Sequence, residues 1–286
     1  MTMRVAVIGA GLSAVSFQRQ LPPTVECQIF EKSRGFGGRM STRRSDLWHF
    51  DHGAQYFTAK GESFRKLVDD WQSQGRVALW PGPFVSLAGG TVEPKLQQPD
   101  RFVGVPGMNA VVKSLAGSLA VKWQTKIVEL KRTSHQWQLL TESGEYEGPF
   151  DTVVSTAPAQ QSAELVKAHS ESLYQYCQQG SLDPCWAVMV AFQKSLQLPF
   201  VGAFVQESPL SWVANNSSKS GRPQTPEECW VLHGTPTWSE SNLESEPDDV
   251  AKLLMEEFSQ QLGKSLPKVS FLQAHRWRYS IPPAPH

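Results

Sequence analysis

Gly9, Gly11 and Ala14 stand in the order Gly-x-Gly-x-x-Ala, directly after the β-branched run Arg4-Val5-Ala6-Val7-Ile8. Gly9 can take the tight turn out of a strand. Gly11 has no side chain to keep an anion from the backbone, and Ala14 lets a following helix lie close to the strand. The helix start offers unpaired N–H groups and the positive end of its dipole. Glu31 comes about twenty residues later and can accept hydrogen bonds from a ribose hydroxyl. Together these residues suit the diphosphate and sugar of a dinucleotide. The segment Glu31-Lys32-Ser33-Arg34-Gly35-Phe36-Gly37-Gly38-Arg39-Met40 extends the pattern. Gly35, Gly37 and Gly38 let backbone amides face an anion, and Arg39 can add charge to phosphates. A purely structural turn or a basic nucleic-acid segment would draw on the same residue types. The placement between strand and helix, with the acid in register, favours the dinucleotide. Arg43 and Arg44 read as surface charges.

The elements that must position these residues follow from periodicity. Arg4–Ile8 reads as a buried parallel strand, residues 12–21 as a short helix stopped by Pro22-Pro23, and Val25–Phe30 as a second strand. That is the length of a βαβ unit. Phe64, Leu67, Val68 and Trp71 recur at helical spacing. Residues 77–103 suggest hairpins, and Pro106-Gly107-Met108 opens a helix through Val111, Val112 and Leu115. Short strands are expected at 121–123, 127–130, 137–140 and 151–155, and a helix over 159–177. Further strands are expected at 185–192, 230–233 and 269–277. Asn215–Glu228 is polar, with glycine and two prolines, and reads as an exposed loop. Residues 247–262 predict an amphipathic helix with Val250, Leu253, Leu254 and Phe258 on one face.

Composition narrows the class. The chain has 286 residues, 40 % of them hydrophobic, and equal numbers of basic and acidic side chains, 27 of each. That is enough apolar material for one or two domains. The balance gives no reason to expect nucleic-acid or membrane partners. Cys27, Cys177, Cys185 and Cys229 lie far apart, form no zinc-type cluster and predict reduced thiols in a cytoplasmic protein. Two glycines and Gln18-Arg19-Gln20 argue against reading the N-terminus as a signal peptide.

Beyond the fingerprint, longer motifs resemble a known group. They are Glu31–Gly35, Gly37-Gly38-Arg39-Met40-Ser41, Asp51-His52-Gly53-Ala54-Gln55-Tyr56-Phe57 and Gly104-Val105-Pro106-Gly107-Met108. Ser155–Pro158, Asp183–Ala187, Trp230–His233 and His275-Arg276-Trp277 agree with them. The chain resembles the flavin-containing amine oxidase superfamily, and within it the renalase-like branch. The resemblance implies an α/β fold holding FAD. A discontinuous Rossmann-like domain would take residues 1–60 and 101–165. An α+β substrate domain on a mixed or antiparallel sheet would take 61–100 and 166–280, leaving 281–286 as a tail. It also implies site residues. Gly9, Gly11, Ser13, Ala14, Glu31, Lys32, Gly38, Arg39, Ile127 and Thr156 would hold the cofactor. Gln55 and Tyr56 would lie by the isoalloxazine, and Tyr56, His233 and Trp277 would serve catalysis on the substrate side. His233 reads equally as a core histidine at a strand end, Trp277 and Trp186 as core aromatics, and Thr156 as a strand terminus. No metal site is expected.

The implied activity is hydride transfer from a small substrate to flavin N5, with reoxidation by O2 to hydrogen peroxide. A dihydronicotinamide isomer of NAD(P)H is the first expectation and an amine the alternative. No paired carboxylates or nucleophile are needed, because an electron-rich dihydropyridine gives up hydride unaided. The resemblance further implies a Gly-Asp pair and a closing helix near the end of the chain, and no Gly-Asp pair occurs among the 286 residues. On that expectation the chain is a fragment or truncated form that holds FAD weakly. An inactive nucleotide-binding protein is then a further alternative.

Overall fold

Residues 2–45, 47–95 and 98–283 are described by the computed structural model. The N-terminal run forms the strand Met3–Ile8, buried from Val5 onward. Among the described residues it lies in a four-stranded parallel sheet, in the order Thr152–Ser155, Met3–Ile8, Val25–Phe30, Val121–Lys122. The helix Leu12–Gln20 connects the first two strands in sequence and buries Ala14 and Val15. Ala14 therefore does what its size suggests, letting helix and sheet approach. A separate antiparallel sheet pairs Ile127–Thr133, Gln136–Thr141 and Tyr146–Phe150. Its third strand carries no apolar alternation, which hid it in the sequence.

The expected helix over 159–177 is two helices, Ala159–Val166 and Glu171–Gln179. Ser170 starts the second, its hydroxyl accepting the Leu173 N–H at 3.3 Å. A serine cap satisfies an orphan donor where apolar periodicity alone runs on.

Contacts divide the chain into two compact units, Met1–Arg39 with Val112–Leu182, and Met40–Val111 with Asp183–Ile281. These boundaries follow packing density; the functional division expected from sequence follows contact with a cofactor, and the two differ over residues 40–60, 101–111 and 166–182. The expected tail lies partly outside the described residues.

The second unit carries, among the described residues, a seven-stranded sheet. Its order is Val269–Ile281, Asp183–Phe192, Glu228–Gly234, Leu210–Asn215, Gly202–Val205, Phe84–Ala88, Thr91–Pro94. Neighbours are antiparallel except Gly202–Val205 and Phe84–Ala88. Asp183–Phe192 is buried on both faces. Trp186, Val188, Val190 and Phe192 face a core with Val250, Leu254 and Phe258 of the helix Pro247–Leu262. Met189 and Ala191 point the other way, onto Phe50 and Val231. This two-residue period sends alternate side chains to two different buried faces of the sheet. The helix obeys its own signals: Pro247 at its start, Asp248 and Asp249 in its first turn, and Gly263 left-handed at its end. Leu253, however, is exposed and Ala251 takes its place in the buried stripe.

Candidate active site

In the first unit, the predicted cofactor residues gather at the carboxyl ends of the parallel strands. Gly9 has φ +101°, and a Cβ there would lie 2.7 Å from Thr156 Oγ1. Only glycine fits that turn. The Thr156 hydroxyl donates to the Ile8 carbonyl at 2.9 Å. Gly11 caps the helix without any side-chain partner, and a Cβ on it would meet nothing within 4 Å. Packing within the protein therefore does not require glycine there, and the open space leaves room for a ligand at the backbone. The first-turn N–H groups around exposed Ser13 have no acceptor within the helix. Gly37 joins the turn through its N–H, which donates to Ala10 O at 3.2 Å, and Gly38 sits beside Gly11 with φ +53°.

Glu31 is buried, and each carboxylate oxygen already accepts one amide: Ala10 N at 2.8 Å on Oε2 and Ser33 N at 2.7 Å on Oε1. One lone pair remains on each oxygen, so the side chain is held rigidly while a sugar hydroxyl can still donate to it. The Thr125 N–H donates to the Glu31 carbonyl at 2.9 Å, bringing the strand that begins at Ile127 to the same end of the sheet. Lys32 and Arg39 are exposed at this edge. An open glycine, an uncapped helix start and an anchored acid fit the diphosphate and ribose of FAD.

In the second unit, strand register assembles the other candidates. Ala187 pairs with His233 on one side and His275 on the other, and His233 pairs with Trp212. Trp212, His233, Ala187 and His275 thus form one row on one face, with Trp277 two residues along from His275. The rings of His275 and Trp277 lie 4.6 Å apart, and His52 packs on both, 4.8 Å from His275 and 5.2 Å from Trp277. Trp277 Nε1 donates to the His52 carbonyl at 2.9 Å, and His233 Nε2 lies 3.3 Å from the same oxygen. Arg43 belongs here too, with Nη2 3.5 Å from His275 Nδ1, so it is more than the surface charge expected.

Gln55 is fully engaged. Its oxygen accepts from Lys219 Nζ at 3.0 Å, and its nitrogen donates to the carbonyls of Asp51 and Gly53. That fixes which end of the amide faces His233. The His233 Nε2 hydrogen goes to the His52 carbonyl, so Nδ1 keeps its lone pair. Burial, and secondarily the charge of Lys219, hold the His233 pKa down at about 4. His275 is held at about 4 and His52 at about 3, mainly by burial. All three imidazoles are neutral at physiological pH. Tyr56 departs from this group. Its ring packs against Trp212 at 5.6 Å, Trp80 at 6.3 Å and Phe84 at 6.5 Å.

The site also contains residues that sequence reading placed elsewhere. The segment read as an exposed loop buries Asn216, Lys219 and Arg222. Asp51, 0 % exposed, accepts from Arg222 Nη2, from Lys219 Nζ at 3.3 Å, from Thr42 Oγ1 at 2.8 Å and from Met108 N at 3.0 Å. Burial alone would raise its pKa; Lys219 and Arg222 outweigh that and hold it at about 2. Burial lowers Lys219 to about 8. The loop does face water at Ser220, Gln224 and Pro226, but part of its polarity serves as the partners of a buried carboxylate. Two of the thiols, Cys185 and Cys229, are pushed up to about 12 by burial and are inert.

A family model described as flavin containing amine oxidoreductase matches residues 91–285, and one described as NAD(P)-binding Rossmann-like domain matches residues 7–71. The chain belongs to the flavin-containing amine oxidoreductase family. It is an FAD-dependent oxidoreductase. A putative protoporphyrinogen oxidase from Exiguobacterium sp. 255-15 shares the fold with a TM-score of 0.78 at 12 % identity, over 99 % of this chain and 88 % of that one. Putrescine oxidase bound to putrescine matches at 0.70 and 10 % identity, over 96 % and 84 %. An oxidoreductase from Methanosarcina mazei matches at 0.65 and 11 % identity, over 97 % and 89 %. At such identities the likeness is one of fold. Among the described residues no helix is long and apolar enough to cross a membrane, and no cluster suits a metal.

Proposed function

We propose that the chain is a renalase-like oxidase that removes hydride from a dihydronicotinamide isomer of NAD(P)H. One observation carries this. The substrate-side group holds neutral imidazoles and buried cations, and its carboxylate, Asp51, is consumed by Lys219 and Arg222. With Asp51 taken up in this way, a protonated amine would find no free carboxylate among the described residues of this group to act as counter-charge or proton acceptor. A dihydropyridine needs neither, and its phosphates suit positive surroundings.

The chemistry FAD supplies when bound is two-electron oxidation of a C–H bond, with O2 as final acceptor and hydrogen peroxide as product. The residues' part is binding and orientation. Gly9, Gly11, Ser13, Ala14, Gly38 and Arg39 would take the diphosphate, and Glu31 and Lys32 the ribose side. Ile127 and Thr156 would border the adenine half. Gln55, its amide direction set by Lys219, would face the flavin ring. His233 would offer its Nδ1 lone pair to a donor such as a carboxamide N–H, and Trp277 an apolar wall. The functional division we adopt is 1–60 with 101–165 for cofactor and 61–100 with 166–280 for substrate.

Anaerobic mixing of the flavin-loaded protein with dihydronicotinamide isomers tests the reading. The visible flavin absorbance should bleach on adding the isomers and stay unchanged on adding putrescine. Bleaching by putrescine alone would replace this reading with amine oxidation.

A further inference from the structure

Arg101 lies in the second unit, 5 % exposed, just before the strand Phe102–Gly104. Among the described residues no carboxylate pairs with it. Its guanidinium sits over aromatic faces, 4.1 Å from the Phe84 ring centre, 4.9 Å from Tyr56 and 5.8 Å from Phe204. Nη1 donates to Gln98 Oε1 at 2.7 Å, while Nε is buried with no acceptor among the described residues. A buried cation normally has an anionic partner, because desolvation without one is costly.

A second donor in the same cluster is also unmatched. Trp212 Nε1 is buried and has no acceptor among the described residues, and the Trp212 ring lies 4.7 Å from Phe204 and 5.6 Å from Tyr56. Lys95 Nζ stands 4.1 Å over Phe204. Tyr56 and Phe204 are half-buried and Lys95 is exposed, so the cluster reaches the surface on their side. Trp212 is also the neighbour of His233 in the row across the sheet.

We propose that Arg101 and Trp212 form an anion anchor for the substrate, a compound that carries a carboxylate or phosphate on a planar body. The two unmatched donors meet the anionic oxygens, and the rings of Tyr56, Phe84 and Phe204 take the planar part. The inference rests on the proposed oxidation only in assigning the ligand to the substrate side. Within that reading it favours phosphate-bearing dinucleotides over neutral or cationic donors.

Benzoate, benzamide and benzylamine share one ring and differ in charge. Quenching of the fluorescence of the chain's 10 tryptophans, Trp80 and Trp212 among them, measures their binding to the protein as purified. Flavin content is read separately from its absorbance. Benzoate should bind about tenfold or more tightly than benzamide, with benzylamine weakest. Arg101→Gln should abolish that preference. Arg101→Lys should keep the order while weakening benzoate several-fold, since a point charge replaces the planar fork. Trp212→Phe should weaken benzoate with the order kept. Equal binding of benzoate and benzamide overturns the anchor, as does a preference that survives Arg101→Gln. If Arg101→Gln does not fold, undiminished benzoate binding in Arg101→Lys overturns it. Benzoate preference without dihydronicotinamide oxidation removes the proposed activity alone; oxidation without the preference removes the anchor alone.

Discussion

Two glycines two residues apart serve different ends. At Gly9 the backbone is left-handed and a Cβ would collide with Thr156. Gly9→Ala should therefore cost about 1–3 kcal/mol of stability. At Gly11 the surroundings are open, and Gly11→Ala should change stability by less than about 0.5 kcal/mol. The same change should sharply lower the flavin absorbance that co-purifies with the protein. Urea unfolding and a visible spectrum of each variant decide this, and full flavin content in Gly11→Ala would remove its assigned role. Asp51 belongs to the same scale. Asp51→Asn leaves Lys219 and Arg222 buried without their counter-charge, and the loss should be about 3–5 kcal/mol. A shift of the urea midpoint by a small fraction of that would mean the network relaxes into water.

At the level of elements, periodicity is a good guide to existence and a poorer one to facing. The helix Pro247–Leu262 has the bounds expected from its Pro, Asp and Gly signals. Of its expected stripe, Val250, Leu254 and Phe258 are buried, but Leu253 is 48 % exposed. Leu254→Ala should cost about 2–5 kcal/mol by leaving a cavity. Leu253→Ala should cost less than about 1 kcal/mol. Comparable losses in thermal unfolding would contradict the observed facing. The reason is geometric: an i, i+3, i+4 pattern tolerates two adjacent leucines, and the sheet beneath decides which one it covers. Likewise the strand Asp183–Phe192 was legible as apolar, yet its pairing of Ala187 with both His233 and His275 was not.

For the molecule as a whole, equal positive and negative charge hides an uneven interior. His52, His233 and His275 have folded pKa values of about 3 to 4, below the ordinary 6.5. The unfolded chain therefore takes up protons first on acidification. Their contribution is complete above about pH 6.5 and falls as pH drops towards 4. Asp51, at about 2 against an ordinary 3.8, adds stability that is present above about pH 4 and lost only below it. Melting temperature should thus fall already between about pH 6.5 and 5, before carboxylates titrate. A flat profile over that range would show that the imidazoles reach water. The sequence alone determined most of the glycine turn we propose for the cofactor, because Gly11, Ala14 and Glu31 sit within one strand–helix–strand unit, while the collision that restricts Gly9 comes from distant Thr156. Tertiary structure alone decided the group we propose as the substrate side. There, Asp51 meets Lys219 across 168 residues and four neighbouring strands align Trp212, His233, Ala187 and His275. Such meetings depend on strand register and burial, which no local pattern of residues encodes.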